Sequence, residues 1–167
     1  MAKIDMKEFE EYQSLLESVF KDTEGLIRDA VYDGGKIVAD EIKAGLKALP
    51  IEEGKNSLTP IGTSEHKLTG VSRRQKGDLI DSFGLAPIEK EGDFINTKAG
   101  VDGYGSIPTK KYPNGTPNVM LMRSIESGTS FREKHPVFRP AVNRSRKKAI
   151  EAMRNKFDEQ IKKKMEG

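Results

Sequence analysis

The stretch SIESGTSFREKHPVFRP, residues 124–140, gathers hydroxyls, carboxylates, two arginines and one of the chain's two histidines. Such a set could form an active site. Its glycine and two prolines fit a second account equally, a joint between two packed helices. A hydrolytic triad needs its serine on a strained G-x-S-x-G elbow, and Gly128-Thr129-Ser130 is not one. His66 and His135 lie far apart, with no histidine at i+3 or i+4 and no cysteine nearby, so metal-ligand spacing is absent. Asp78 and Asp81 stand one helical turn apart and could share a divalent ion. A helix cap beside a solvated acid is the simpler account. No Walker or dinucleotide glycine pattern occurs, and the residues call for no cofactor.

Composition narrows the class. The chain has 167 residues, of which 33% are charged and 35% apolar. That length suits one domain, and that apolar share is low for a compact globule. Some of the chain is expected to be extended or ordered only against a partner. No apolar run approaches the roughly 18 residues of a membrane span. The opening MAKIDMKEFEEYQ is acidic and amphipathic, unlike a secretion signal. Without cysteine there are no disulfides, thiolate metal sites or cysteine nucleophiles, which fits a reducing compartment.

The net charge of +3 conceals an asymmetry. Residues 1–53 carry 7 basic and 13 acidic side chains, a net of −6, whereas residues 132–167 carry 12 basic and 5 acidic, a net of +7. Two solvated helix faces attracting one another within the monomer would account for this. So would a basic end that meets an acidic surface on a neighbouring subunit, a partner, or nucleic acid.

The elements that must position these residues read as follows. Phe9, Tyr12, Leu16, Val19 and Phe20 fall at helical spacing, predicting a helical extension within residues 1–22. Asp22-Thr23 can cap a second helix, from about Glu24 to Ala48, which Pro50 ends. Its apolar stripe runs through Gly34-Gly35. That favours a close approach by another element there over a mere loose spot. Residues 50–76 and 102–118 lack periodicity and are rich in glycine and proline, predicting two long loops, of the kind that carry function or order on binding. In GDLIDSFG, residues 77–84, Asp78 can cap a short helix with Leu79 and Phe83 on one face and Gly84 as its left-handed stop. Two strands follow, joined at Glu91-Gly92-Asp93, with Pro87 on an edge or at a strand start. Val119 to Ser127 reads as a short helix, capped by Asn118 and stopped by Gly128. A last helix, about Pro140 to Met165, offers a narrow seam of Val142, Ala149, Ile150, Met153, Phe157, Ile161 and Met165, flanked by Arg144, Arg146, Lys147 and Lys148. Pro136 and Pro140 pre-set the entry into that helix, with Val137 and Phe138 packing beneath it. Arg132 and Arg139 can bond exposed carbonyls or acids nearby, Glu126 among them.

The order of these motifs resembles the tail-component family of long-tailed phages and prophages, small neck or tail-completion proteins. The residues that carry the resemblance are Gly77, Asp78, Leu79, Ser82 and Phe83, then Glu126, Gly128, Thr129 and Ser130, then Pro136, Phe138, Arg139, Pro140 and Ala141. Ser127 stands where relatives tend to carry an aromatic residue, and the 50–76 loop replaces a shorter proline-aspartate motif. The resemblance implies an α+β subunit, with long N- and C-terminal helices packed on a small antiparallel sheet. It implies no catalysis, and a virion component that assembles as a ring, a hexamer, between the head connector and the tail tube. The competing reading is a nucleic-acid-binding accessory protein that uses the basic residues 144–148 and 162–164. Against it, no aromatics interleave with those charges. A small hydrolase or nuclease is the third reading, and no residue set supplies its site.

Overall fold

In the computed structural model, residues 6–55 and 60–166 are described. Two long helices form the frame: α2, Thr23–Ala48, and α5, Phe138–Glu166. They run antiparallel, because cross-helix partners climb one helix as they descend the other: Glu41 with Arg144, Asp33 with Lys156, Asp29 with Gln160, Asp22 with Lys164. Helix α1, Met6–Lys21, precedes this pair and touches both of its members. The side chains of Phe9 and Tyr12, expected in its seam, lie outside those described.

Part of the charge asymmetry is met inside the monomer, where Glu41, Asp33 and Asp22 pair with Arg144, Lys156 and Lys164 of α5. These pairs are partly exposed, so each contributes only about 0–1 kcal/mol. Apolar contact holds the helices together, by a seam that keeps Ala149, Met153, Phe157 and Ile161 of the one expected and loses Val142 and Ile150. Val142 and Ile150 stand 42% and 50% exposed, while Ala141, Ser145 and Ala149 take the inward positions. Glycines of α2 admit α5 and its entry closely at other points, Gly34 facing Met153 and Gly45 facing Val137. A Cβ on Gly34 would lie 2.2 Å from Met153 Cε, and one on Gly35 would lie 2.9 Å from Thr97 Cγ2. The Gly34-Gly35 pair is therefore a seat for a methionine on one side and the hairpin on the other. The buried Ser145 hydroxyl is satisfied by the Ala141 carbonyl at 2.8 Å.

The main core sits at the C-terminal end of α2. Ile42, Leu46 and Leu49 meet Val71 and Leu79, then Met122 and Ile125, then Val137 and Ala141. Helix α3, Arg73–Asp81, and helix α4, Asn118–Ser127, close this end. Each fully buried Leu or Ile there contributes about 1.5–3 kcal/mol of apolar transfer.

Several expected boundaries move. Helix α3 begins at Arg73, four residues before Gly77, so the long loop stops at Ser72. Its cap is Ser72 in a reciprocal box with Gln75, and Asp78 lies in the final turns. Ser82 ends the helix, while Gly84 sits in a strand. Helix α4 is preceded by Pro117. Asn118 is its first residue, 2% exposed, and its side-chain amide donates to the Asp102 carbonyl at 2.9 Å. Asp22 makes no capping bond for α2 and pairs with Lys164.

Between α3 and α4 runs an antiparallel hairpin in two ladders. Strands β1, Phe83–Leu85, and β4, Ala99–Val101, pair Phe83 with Val101, while β2, Glu89–Glu91, and β3, Phe94–Asn96, pair Glu91 with Phe94. Three residues separate β1 from β2 and only two separate β3 from β4, so one arm carries an extra residue. Pro87 lies in that excess, where no ladder amide is required. Arg28 donates to the Ile88 carbonyl at 3.1 Å and Lys90 meets Glu24 at 2.6 Å, which lays the hairpin along α2. Among the described residues, no helix is long and apolar enough to cross a membrane.

Candidate assembly site

The stretch 124–140 is a joint, and its polar atoms are occupied in building it. Gly128 ends α4 at φ 74°, a left-handed value that suits glycine, and its amide donates to the Ser124 carbonyl at 3.0 Å. A Cβ there would also crowd Lys134 N at 3.2 Å. Thr129 and Arg132 then exchange backbone hydrogen bonds at 2.9 and 3.4 Å, closing a tight turn. The His135 amide donates to the Ile125 carbonyl at 2.8 Å, and its ring is exposed.

Glu126 has the central role. Its carboxylate accepts from the amides of Val137, Phe138 and Arg139 at 2.6, 3.0 and 3.1 Å. Three orphan donors at the start of α5 are satisfied by a residue of α4, so one helix caps the next. Burial alone would raise this carboxyl. The amides of Val137, Arg139 and Phe138, with the Arg139 charge, outweigh it and hold the group below the usual carboxylate range. The expected arginine contact is corrected accordingly: the Arg139 backbone, rather than its guanidinium, makes the hydrogen bond. Pro140 falls in the first turn, where its missing amide costs nothing.

The other motif residues converge on this joint from distant parts of the chain. Phe83 meets Phe138 edge-to-face, with centroids 6.1 Å apart and planes at 74°. Leu79 is fully buried in the core beside them. Asp78 accepts from the Ser106 amide at 2.8 Å and hydroxyl at 3.1 Å, tying α3 to the loop that follows the hairpin. Asp81 plays no part in that contact. Among the described residues, no group of three metal-ligating side chains forms.

Arg132 bonds a carbonyl, as expected, but one far off in sequence, and its neighbour Glu52 carried no evident signal. Arg132 is 5% exposed and donates through Nη1 to the Gly70 carbonyl. Glu52 accepts from the amides of Thr69 and Gly70 at 2.7 and 2.9 Å, and from the Thr69 hydroxyl. Burial would raise the Glu52 carboxyl. The Gly70 and Thr69 amides, the Thr69 hydroxyl and the Arg132 charge together bring it below the usual range. Burial in turn draws the Arg132 guanidinium below its ordinary value, against the pull of Glu52. Leu68 and Glu133 complete the stitching, with Leu68 N to Phe131 O at 3.0 Å and Glu133 N to Leu68 O at 2.8 Å. The first long loop is thereby sewn to the joint.

An open groove of about 510 Å³ lies where both long loops meet α4 and the Gly-Thr-Ser turn. Tyr112, Met120 and Phe131 give it an apolar floor, and Lys111, Arg123 and Arg132 line it with no carboxylate among them. Met120 and Phe131 remain 49% and 45% exposed. Gly128 and Thr129 belong to its rim. The basic residues of α5 lie elsewhere and divide in two. Arg144 is held by Glu41 at 2.7 Å, whereas Arg146, Lys147 and Lys148 are exposed, with no ion pair among the described residues. Comparison with protein-family models, curated proteins and solved structures finds no match to this chain.

Proposed function

We propose that this chain is a structural subunit of the neck or tail terminus of a long-tailed phage. It completes the tail for attachment to the head by assembling as a ring, without catalysis. One observation carries the reading. The three motif groups that resemble the tail-component family, Asp78 to Phe83, Glu126 to Thr129, and Phe138 to Pro140, meet at one joint, where they brace backbone and core. Around that joint the chain presents an apolar, basic groove fed by two long loops. A ring requires each subunit to offer two different, complementary surfaces, and such a groove is suited to be one of them. The partners on this reading are other copies, head connector proteins and tail tube proteins, and the place of action is the virion. The test is co-expression with connector and tail-tube proteins of a long-tailed phage from the same source. Stable co-purification with either is expected, and recovery of the chain free of both contradicts the reading.

A second reading rests on Arg146, Lys147 and Lys148, an exposed basic patch on the outer side of α5 without ion pairs among the described residues. Such a patch suits phosphate contact without base reading. Retardation of duplex DNA that weakens steeply with salt, and disappears in a neutralised chain carrying R146Q, K147Q and K148Q, would favour it over the ring.

A further inference from the structure

Resting on the ring reading, we infer that the groove beside α4 receives helix α1 of a second copy. Three observations meet here. The first is charge. Lys111, Arg123 and Arg132 line the groove without an acid, while α1 carries Glu8, Glu10, Glu11 and Glu17 against Lys7 and Lys21. The second is apolar match. Met120 and Phe131, beside the half-buried Tyr112, offer an exposed apolar floor, and α1 supplies Phe20, 74% exposed. An amphipathic helix laid in a groove is a recurrent mode of recognition.

The third is placement. Helix α1 leaves from the N-terminal end of α2, close to where Lys164 meets Asp22. The groove belongs to the other end, where Lys76 of α3 binds the Leu49 carbonyl at 2.8 Å and Gln75 lines the cavity. Helix α2 has 26 residues and α1 has 16, which at the helical rise are about 39 and 24 Å. The shorter arm does not reach back to its own groove. Arm and groove at opposite ends make a head-to-tail contact, which closes into a ring when the rotation per subunit permits.

The test uses the full chain and a labelled peptide of residues 1–21, with binding read by fluorescence anisotropy. The parent chain binds the peptide, and K111E/R123E weakens binding by about tenfold or more. Both positions are exposed, so the variant keeps its core, as circular dichroism checks. The E8K/E10K/E11K peptide fails on the parent chain and recovers on K111E/R123E. Equal binding of the peptide by parent and K111E/R123E overturns the inference. So does a K111E/R123E chain that loses retention of duplex DNA while binding the peptide as before. Ring formation on tails is scored separately: rings that persist in K111E/R123E overturn the groove contact and leave the ring reading standing. Absence of rings from the parent overturns that reading itself.

Discussion

Glu126 shows how one side chain of the joint sets local order. Losing it strands three amides at the head of α5. E126A is expected to cost about 1–3 kcal/mol, read as a shift of the denaturant midpoint at pH 7. Its pH dependence follows from the depressed carboxyl. The folded state holds fewer protons than the unfolded one, so the contribution is full above the ordinary value of 4.5 and is lost as pH falls from there through the folded value. The stability gap between the parent and E126Q should therefore narrow on acidification from about pH 6 to about pH 3, and a constant gap would refute the assignment. Gly34 makes a second case. Alanine normally gains about 1 kcal/mol over glycine inside a helix. Here its Cβ would strike Met153 at Cε and Cγ, 2.2 and 2.5 Å away. G34A should therefore destabilise, M153A should destabilise, and the double variant should recover part of the loss. Strict additivity in that cycle would count against the seat.

Among the elements, α3 tests how capping competes with composition. Its interior carries few apolar residues, and the Ser72–Gln75 box starts it. S72A should cost about 1 kcal/mol, seen as a lower denaturant midpoint. This cap was legible as S-R-R-Q, yet Asp78 drew attention as the acid nearer the apolar residues. The long helices, the hairpin and the Gly128 stop were legible because periodicity, a Gly-Asp turn and a left-handed glycine are local signals. The inward face of α5 was legible in part: Ala149, Met153, Phe157 and Ile161 keep their places in the seam, while Ala141 and Ser145 turn inward and the more hydrophobic Val142 and Ile150 stay exposed. Likewise Phe83 with Phe138, and Arg132 with Gly70, are contacts across long separations that no local pattern encodes. The motif residues could be named, but their convergence on one joint, and the groove beside it, needed the fold.

At the scale of the whole molecule, part of the opposite charge of the two ends is used within a single chain, where Asp22, Asp33 and Glu41 meet Lys164, Lys156 and Arg144 of α5. Exchanging Glu41 and Arg144 as E41R/R144E should leave both stability and assembly near the parent's, since the pair is partly exposed and contributes about 0–1 kcal/mol. A marked assembly defect there would return Arg144 to an intersubunit role. On the proposed reading, the groove beside α4 and the arm at the far end are the surfaces that meet neighbours. The most direct measurement is electron cryo-microscopy of tails completed with the purified chain. The account predicts a closed ring of copies at the connector-facing end of the tube, with each α1 laid across the Lys111–Arg123 groove of the next subunit. Tails whose ends carry no density for the chain, while it remains a monomer in solution at every concentration tested, would contradict it.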